Sequence, residues 1–89
     1  MLFVRIKDGF SLKNYEGQYT VVADNGELEN TIVLSGTSLF LWNLLKGNNV
    51  SKTEMLNALL ENFDISTVLA LGDIDVFIRT MKENGITED

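Results

Sequence analysis

The apolar pattern of this 89-residue chain changes period once, near residue 35, and that switch constrains the fold more than any other feature. Before it, apolar residues alternate; after it, they recur every three or four positions. Leu2, Val4 and Ile6 alternate with Phe3, Arg5 and Lys7 before a turn at Asp8-Gly9. Phe10 to Tyr15 alternates again and stops at Glu16-Gly17. Tyr19 to Ala23 is β-rich and closes on Asp24-Asn25-Gly26, a strong turn signal. The β-branched run Asn30-Thr31-Ile32-Val33-Leu34 comes next. A small antiparallel sheet is therefore expected over residues 10–34, with residues 2–7 as an extra strand.

Three helices are expected after the switch, over about residues 36–46, 52–62 and 67–84. Ser35 caps the first, and Gly47 stops it where a left-handed residue is easy. Ser51 and Glu54 have the spacing of a capping box, and Val50 and Met55 flank it as a hydrophobic staple. Met55, Leu56, Leu59, Leu60 and Phe63 then form the buried stripe of the second helix. Ser66 caps the third helix, whose core stripe is Ala70, Leu71, Ile74, Phe77, Ile78 and Met81. Gly85 ends it, so that Ile86 folds back toward Met81 or Lys82. The first helix is apolar nearly all round. Leu41, Trp42 and Leu45 anchor the core, while Phe40 and Leu44 either pack beneath the sheet, the favoured reading, or face a partner. Strands first and helices after make an α+β chain, and no proline or low-complexity linker divides it, so residues 1–89 read as one domain.

Composition removes most chemistries. The chain has no cysteine and no histidine, which excludes disulfides, the usual zinc sites and every imidazole- or thiol-based nucleophile pair. Asp73 and Asp75 are two apart on a helix and face away from each other, a poor acid–base pair. The glycines are scattered turn residues with no phosphate-cradling motif, so neither catalysis nor a cofactor is expected. A net charge of −6, from 13 acidic and 7 basic residues, repels phosphate backbones. A helix–turn–helix reader of DNA also needs basic side chains at the start of its recognition helix, and STVLALGDID has none. MLFVRIKDG is too short and too charged for a signal peptide, and no apolar run reaches the roughly 20 residues of a membrane span. A cytoplasmic location is expected.

Two features point to binding. The strand Thr31 to Leu34 carries neither lysine nor proline, the common guards of a sheet edge. Inside the sheet it is simply core; at an edge it is a template for strand addition. The third helix carries a second stripe, Leu69, Asp73, Val76 and Thr80, beside its core stripe. That stripe is either a lightly apolar solvated flank or one wall of a groove that receives another chain.

Taken together, FSLKNYEGQYTVV, LSGTSLFLWNLLKG, LLENFDIS and GDIDVFIRTMKENGI resemble PqqD-like proteins over about residues 10–87. The resemblance is carried by Trp42, Leu45 and Gly47 in the first helix, by Phe63, Asp64 and Ser66 in the following turn, and by Asp73, Ile74, Phe77, Ile78, Met81, Gly85 and Ile86 at the end. These are the peptide-recognition domains of pathways that make ribosomal, post-translationally modified peptides. The resemblance implies a winged-helix-like fold, three strands followed by three helices, with no catalysis. It also implies that a precursor's leader segment is bound as an added strand and delivered to a modifying enzyme, often a radical SAM protein. Transferred here, the strand edge is Asn30, Thr31, Ile32, Val33 and Leu34, and the helix wall is Leu69, Asp73, Val76 and Thr80 with Phe77 at its border. Two departures stand out: Leu34-Ser35 replaces a common Leu-Asn, and Lys13 stands where arginine is frequent. The expected partners are the leader peptide and its enzyme, with neither nucleic acid nor membrane, the chain being a monomer or an element-swapped homodimer. The competing reading is an interaction or dimerisation module unrelated to peptide maturation, with a DNA-binding regulator third.

Overall fold

A computed structural model describes residues 3–26 and 28–87. Its order is β1 (Phe3–Val4), β2 (Phe10–Tyr15), β3 (Gln18–Ala23), β4 (Val33–Leu34), α1 (Gly36–Leu45), β5 (Val50–Ser51), α2 (Lys52–Asn62) and α3 (Thr67–Glu83). The architecture is α+β, with a three-stranded antiparallel sheet ordered β2-β3-β4 and three helices after it.

The β2–β3 hairpin sets the register of that sheet. Its loop is Glu16 and Gly17, with φ of 53° and 89°, the doubly left-handed form of a type I′ turn. Gly17 takes that conformation freely, whereas Glu16 carries a Cβ into it. The Asn14 side-chain oxygen accepts from the Gly17 amide at 2.8 Å and holds the turn. Pairing then runs from Tyr15↔Gln18 to Phe10↔Ala23, and the Asp24 amide donates to the Gly9 carbonyl beyond it. β4 adds to β3 through Tyr19↔Leu34 and Thr20↔Val33. The expected strand from Asn30 to Leu34 is shorter in the structure. Only Val33 and Leu34 are regular strand, the Val21 amide still reaches the Ile32 carbonyl at 3.0 Å, and Asn30 lies in a bend.

The extra N-terminal strand is β1; the part expected at Leu2 lies outside the described residues. It pairs with β5 through Phe3↔Ser51 and Val4↔Val50. Ile6 then bridges to Thr87, and the Lys7 amide donates to the Ile86 carbonyl at 2.8 Å. This segment therefore ties the start of α2 to the end of α3, and Val4 and Ile6 are buried in doing so.

Each helix is bounded by its own side chains. At α1, the Ser38 hydroxyl accepts from the Ser35 amide at 3.0 Å and donates to the Ser35 carbonyl at 2.8 Å. Gly36, at φ 54°, makes the left-handed step from strand to helix. At α2, Ser51 and Glu54 form the reciprocal capping box, both bonds 3.2 Å, with Val50 and Met55 buried on either side. At α3, the Ser66 hydroxyl accepts from the Leu69 amide. The far end is a Schellman motif: Ile86 donates to Met81 and Gly85 to Lys82, with Gly85 at φ 69° and both Ile86 and Met81 fully buried.

Leu41, Trp42 and Leu45 meet Met55, Leu59, Ala70, Ile74, Phe77 and Met81 in one core that Val21, Ile32 and Leu34 of the sheet side close. Phe40 packs edge-on against Phe63 at the end of α2, ring centroids 5.4 Å apart, and lies half-buried against the common core. Two expectations change. Leu60 leaves the buried stripe and is 38% exposed, because the α2 surface that is covered is narrower than its apolar one. Leu71 and Ile78 sit half-buried at the margin of α3. The sheet is tied to α1 by Lys46, whose ammonium donates to the Phe10 carbonyl at 2.6 Å and lies 6.0 Å from the Trp42 ring.

Replacing Ser51 by alanine removes the capping box and lowers stability by about 1 kcal/mol in urea unfolding. Glu16→Asn relieves the left-handed position and raises stability by roughly 0.5 kcal/mol in the same measurement.

Candidate functional site

The alternation of an antiparallel ladder decides which backbone groups of β4 face outward. Residues opposite each other either exchange both hydrogen bonds or none, and the two kinds of pair alternate. The Val21–Ile32 bond marks that pair as bonded, which makes Tyr19↔Leu34 bonded and Thr20↔Val33 non-bonded. The hairpin agrees, because the Gly9–Asp24 bond puts the backbone of Thr20 toward β2. The amide and carbonyl of Val33 therefore point away from the sheet. Among the described residues, β4 has β3 on one side and no strand on the other. The next outward residue, Ser35, is already engaged through both its amide and its carbonyl by Ser38.

Beside this edge runs a groove of about 270 Å³. Ile32, Val33 and Leu34 line it from the strand, Thr37 and Ser38 from the first turn of α1, and Asp73, Val76, Phe77, Thr80 and Met81 from α3. Ile32, Leu34, Phe77 and Met81 are buried and form an apolar floor, while Val33 and Val76 are about half exposed on the rims. One polar contact lies within the lining and a second lies beyond it, one turn of α3 past Thr80. The Thr37 hydroxyl donates to an Asp73 carboxylate oxygen at 2.9 Å, and the Asn30 side-chain Nδ2 donates to the Asn84 side-chain oxygen at 3.2 Å. Asp73 and Asn84 are separated by about 16 Å at 1.5 Å per helical residue. The lining contains one carboxylate and no basic side chain.

Seven of the residues singled out in the sequence converge on this groove: Ile32, Val33, Leu34, Asp73, Val76, Phe77 and Thr80. Asn30 and Thr31 contribute instead to a separate depression on the outer sheet face with Tyr15, Thr20 and Leu28. Leu69 is 62% exposed one turn before Asp73 and lies outside the lining. Thr37, Ser38 and Met81 line the groove without having been singled out for it. Met81 had been counted as core, which it also is; Thr37 and Ser38 read in sequence as a helix start and carry no other signal. Asp75 turns away from Asp73 to pair with Lys52. Among the described residues, no three acidic side chains gather as a metal site, and no helix is long and apolar enough to cross a membrane.

Fold and groove together define a class: a small α+β domain with an open sheet edge set against a helix. Two solved structures share this fold. One is described as TbiB1 in complex with the TbiA(beta) leader peptide, with a TM-score of 0.71 at 15% identity over 94% of each chain. The other is lasso peptide synthetase B1 complexed with the leader peptide, with a TM-score of 0.69 at 20% identity over 97% of this chain and 98% of that one. No curated protein matches by sequence. Residues 19–86 match the family model of coenzyme PQQ synthesis protein D, and the chain belongs to this PqqD family.

The outward orientation of Val33 has a direct readout. In hydrogen exchange the Val33 amide should exchange at least about tenfold faster than that of Leu34, which faces β3; equal protection would place another strand against this edge.

Proposed function

We propose that this protein is a non-catalytic recognition element that binds the leader segment of a ribosomal precursor peptide by strand addition to β4. The observation that carries this reading is the open edge of β4, with the Val33 backbone directed outward beside an apolar groove. Backbone pairing supplies affinity that is indifferent to sequence, and the groove supplies selection. Membership of the PqqD family and a fold shared with two proteins solved with leader peptides support the same reading. The peptide-facing residues are Ile32, Val33, Leu34, Asp73, Val76, Phe77 and Thr80, with Asn30, Thr31 and Leu69 meeting the peptide where it leaves the groove. The chain presents its guest to a separate modifying enzyme, and a radical SAM protein is the class that the family resemblance implies.

The test is titration of ¹⁵N-labelled protein with the leader peptide of the precursor encoded nearest this gene. Shifts concentrated on residues 31–34 and 73–80 are expected at saturation. A flat titration with every leader encoded nearby sinks the proposal. Val76 is 53% exposed, so Val76→Asp leaves the fold intact. It puts an unpaired charge against the bound apolar side chain, and affinity falls by about tenfold or more, which corresponds to about 1.4 kcal/mol.

A further inference from the structure

Six of the seven glycines adopt a positive φ and so have a backbone reason to be glycine; Gly72 is the exception. It lies inside α3, where glycine weakens a helix relative to alanine. No close neighbour demands it either, because a Cβ placed there meets no atom within 4 Å. The side chains around it are unusual too. Val68 is 79% exposed, Leu69 62% and Val76 53%. Single exposed apolar residues are ordinary, but three on one stretch of one helix make a patch. At 3.6 residues per turn, Val68, Gly72, Val76 and Arg79 fall within about 80° of arc, opposite the buried Ala70, Ile74, Phe77 and Met81. The row Val68, Gly72, Val76 is thus an i, i+4, i+8 ridge with a gap at its middle. Its two valines are about 12 Å apart along the axis, which is the width of a helix with its side chains.

We propose that this outer face of α3 docks an α-helix of the enzyme that modifies the bound peptide. The arriving helix crosses α3 over Gly72, between Val68 and Val76, with a small residue at the crossing and a carboxylate directed at Arg79. The proposal rests on the peptide-binding reading and adds to it the surface that receives the second partner. Gly72 then has a purpose, since the missing side chain lets two helix axes approach closely. Val76 is also a rim of the peptide groove, so a body seated here lies alongside the guest. The modifying enzyme is the partner that has to be there. Charge defines its side of the contact. Between Val68 and Arg79, Asp73 is engaged by Thr37 and Asp75 is paired with Lys52. Exposed Arg79 makes no ion pair among the described residues, so a carboxylate on the arriving helix complements it. A second copy is the poorer occupant. It carries the same charge of −6, and the carboxylates on this stretch of its own α3 are already engaged.

The experiment measures binding of the full chain to the purified modifying enzyme encoded beside the nearest precursor, with leader affinity and thermal midpoint followed in parallel. Gly72→Leu fills the gap and is expected to weaken enzyme binding by about tenfold or more, with leader affinity unchanged. Gly72→Ala is expected to raise the thermal midpoint by about 4 °C and yet weaken enzyme binding. A glycine needed only for the fold cannot give those opposite signs. Arg79→Glu should weaken enzyme binding and Arg79→Lys should largely retain it. A photo-crosslinking residue placed at Val68 should join the chain to a helix of the enzyme. No measurable enzyme binding, enzyme binding indifferent to Gly72→Leu, or a crosslink to a strand, a loop or a second copy overturns the docking face and leaves peptide binding in place. Enzyme held through this face, with a flat titration for every leader encoded nearby, overturns the peptide-binding reading instead.

Discussion

The register of β3 between its two neighbours is the constraint on which the rest depends. A two-residue turn at Glu16 and Gly17 fixes β2 against β3, and β4 then has one way to add so that Ile32 and Leu34 enter the core. A slip of one residue would send both to solvent and bring Thr31 and Val33 inward. The same slip would exchange the backbone groups that face β3 for those that face outward. Core packing and the chemistry of the open edge are thus two readings of a single alignment, and neither can be altered alone.

The helices act on that edge from a distance. α1 buries Leu41, Trp42 and Leu45 and thereby sets its own first turn, with Thr37 and Ser38, at one end of the groove. α3 divides its surface between a core face, Ala70, Ile74, Phe77 and Met81, and the adjoining groove wall, with Phe77 and Met81 serving both. β1 and the Schellman turn at Gly85 and Ile86 fasten the far end of α3 to the N-terminal segment. The groove is consequently walled by elements that are packed into the common core or fastened at their ends.

Much of this was legible in the residues. Helix starts and stops were readable because Ser51, Glu54, Ser66 and Gly85 act on their immediate neighbours, and local chemistry of that kind is written in short spacings. The two faces of α3 were readable because periodicity separates them. What eluded the sequence depends on contacts distant along the chain. Leu60 is apolar and correctly spaced, yet it stays 38% exposed. Phe40 finds Phe63, a partner no local pattern specifies. Thr37 and Ser38 belong to the groove only because α3 passes in front of them. The limits of the strand before Val33 were equally hidden, because Asn30 bends out beside Asn84, 54 positions away.

An open strand edge is normally a hazard, since identical copies offer each other the same unpaired groups. Here the regular strand is only Val33 and Leu34, and Ser38 occupies Ser35 directly after it. A ladder that short gives two copies little to hold, and a net charge of −6 on each opposes their approach. Self-association through β4 is thereby discouraged by the same short ladder, and any strand that adds here draws its affinity mainly from the fit of its side chains.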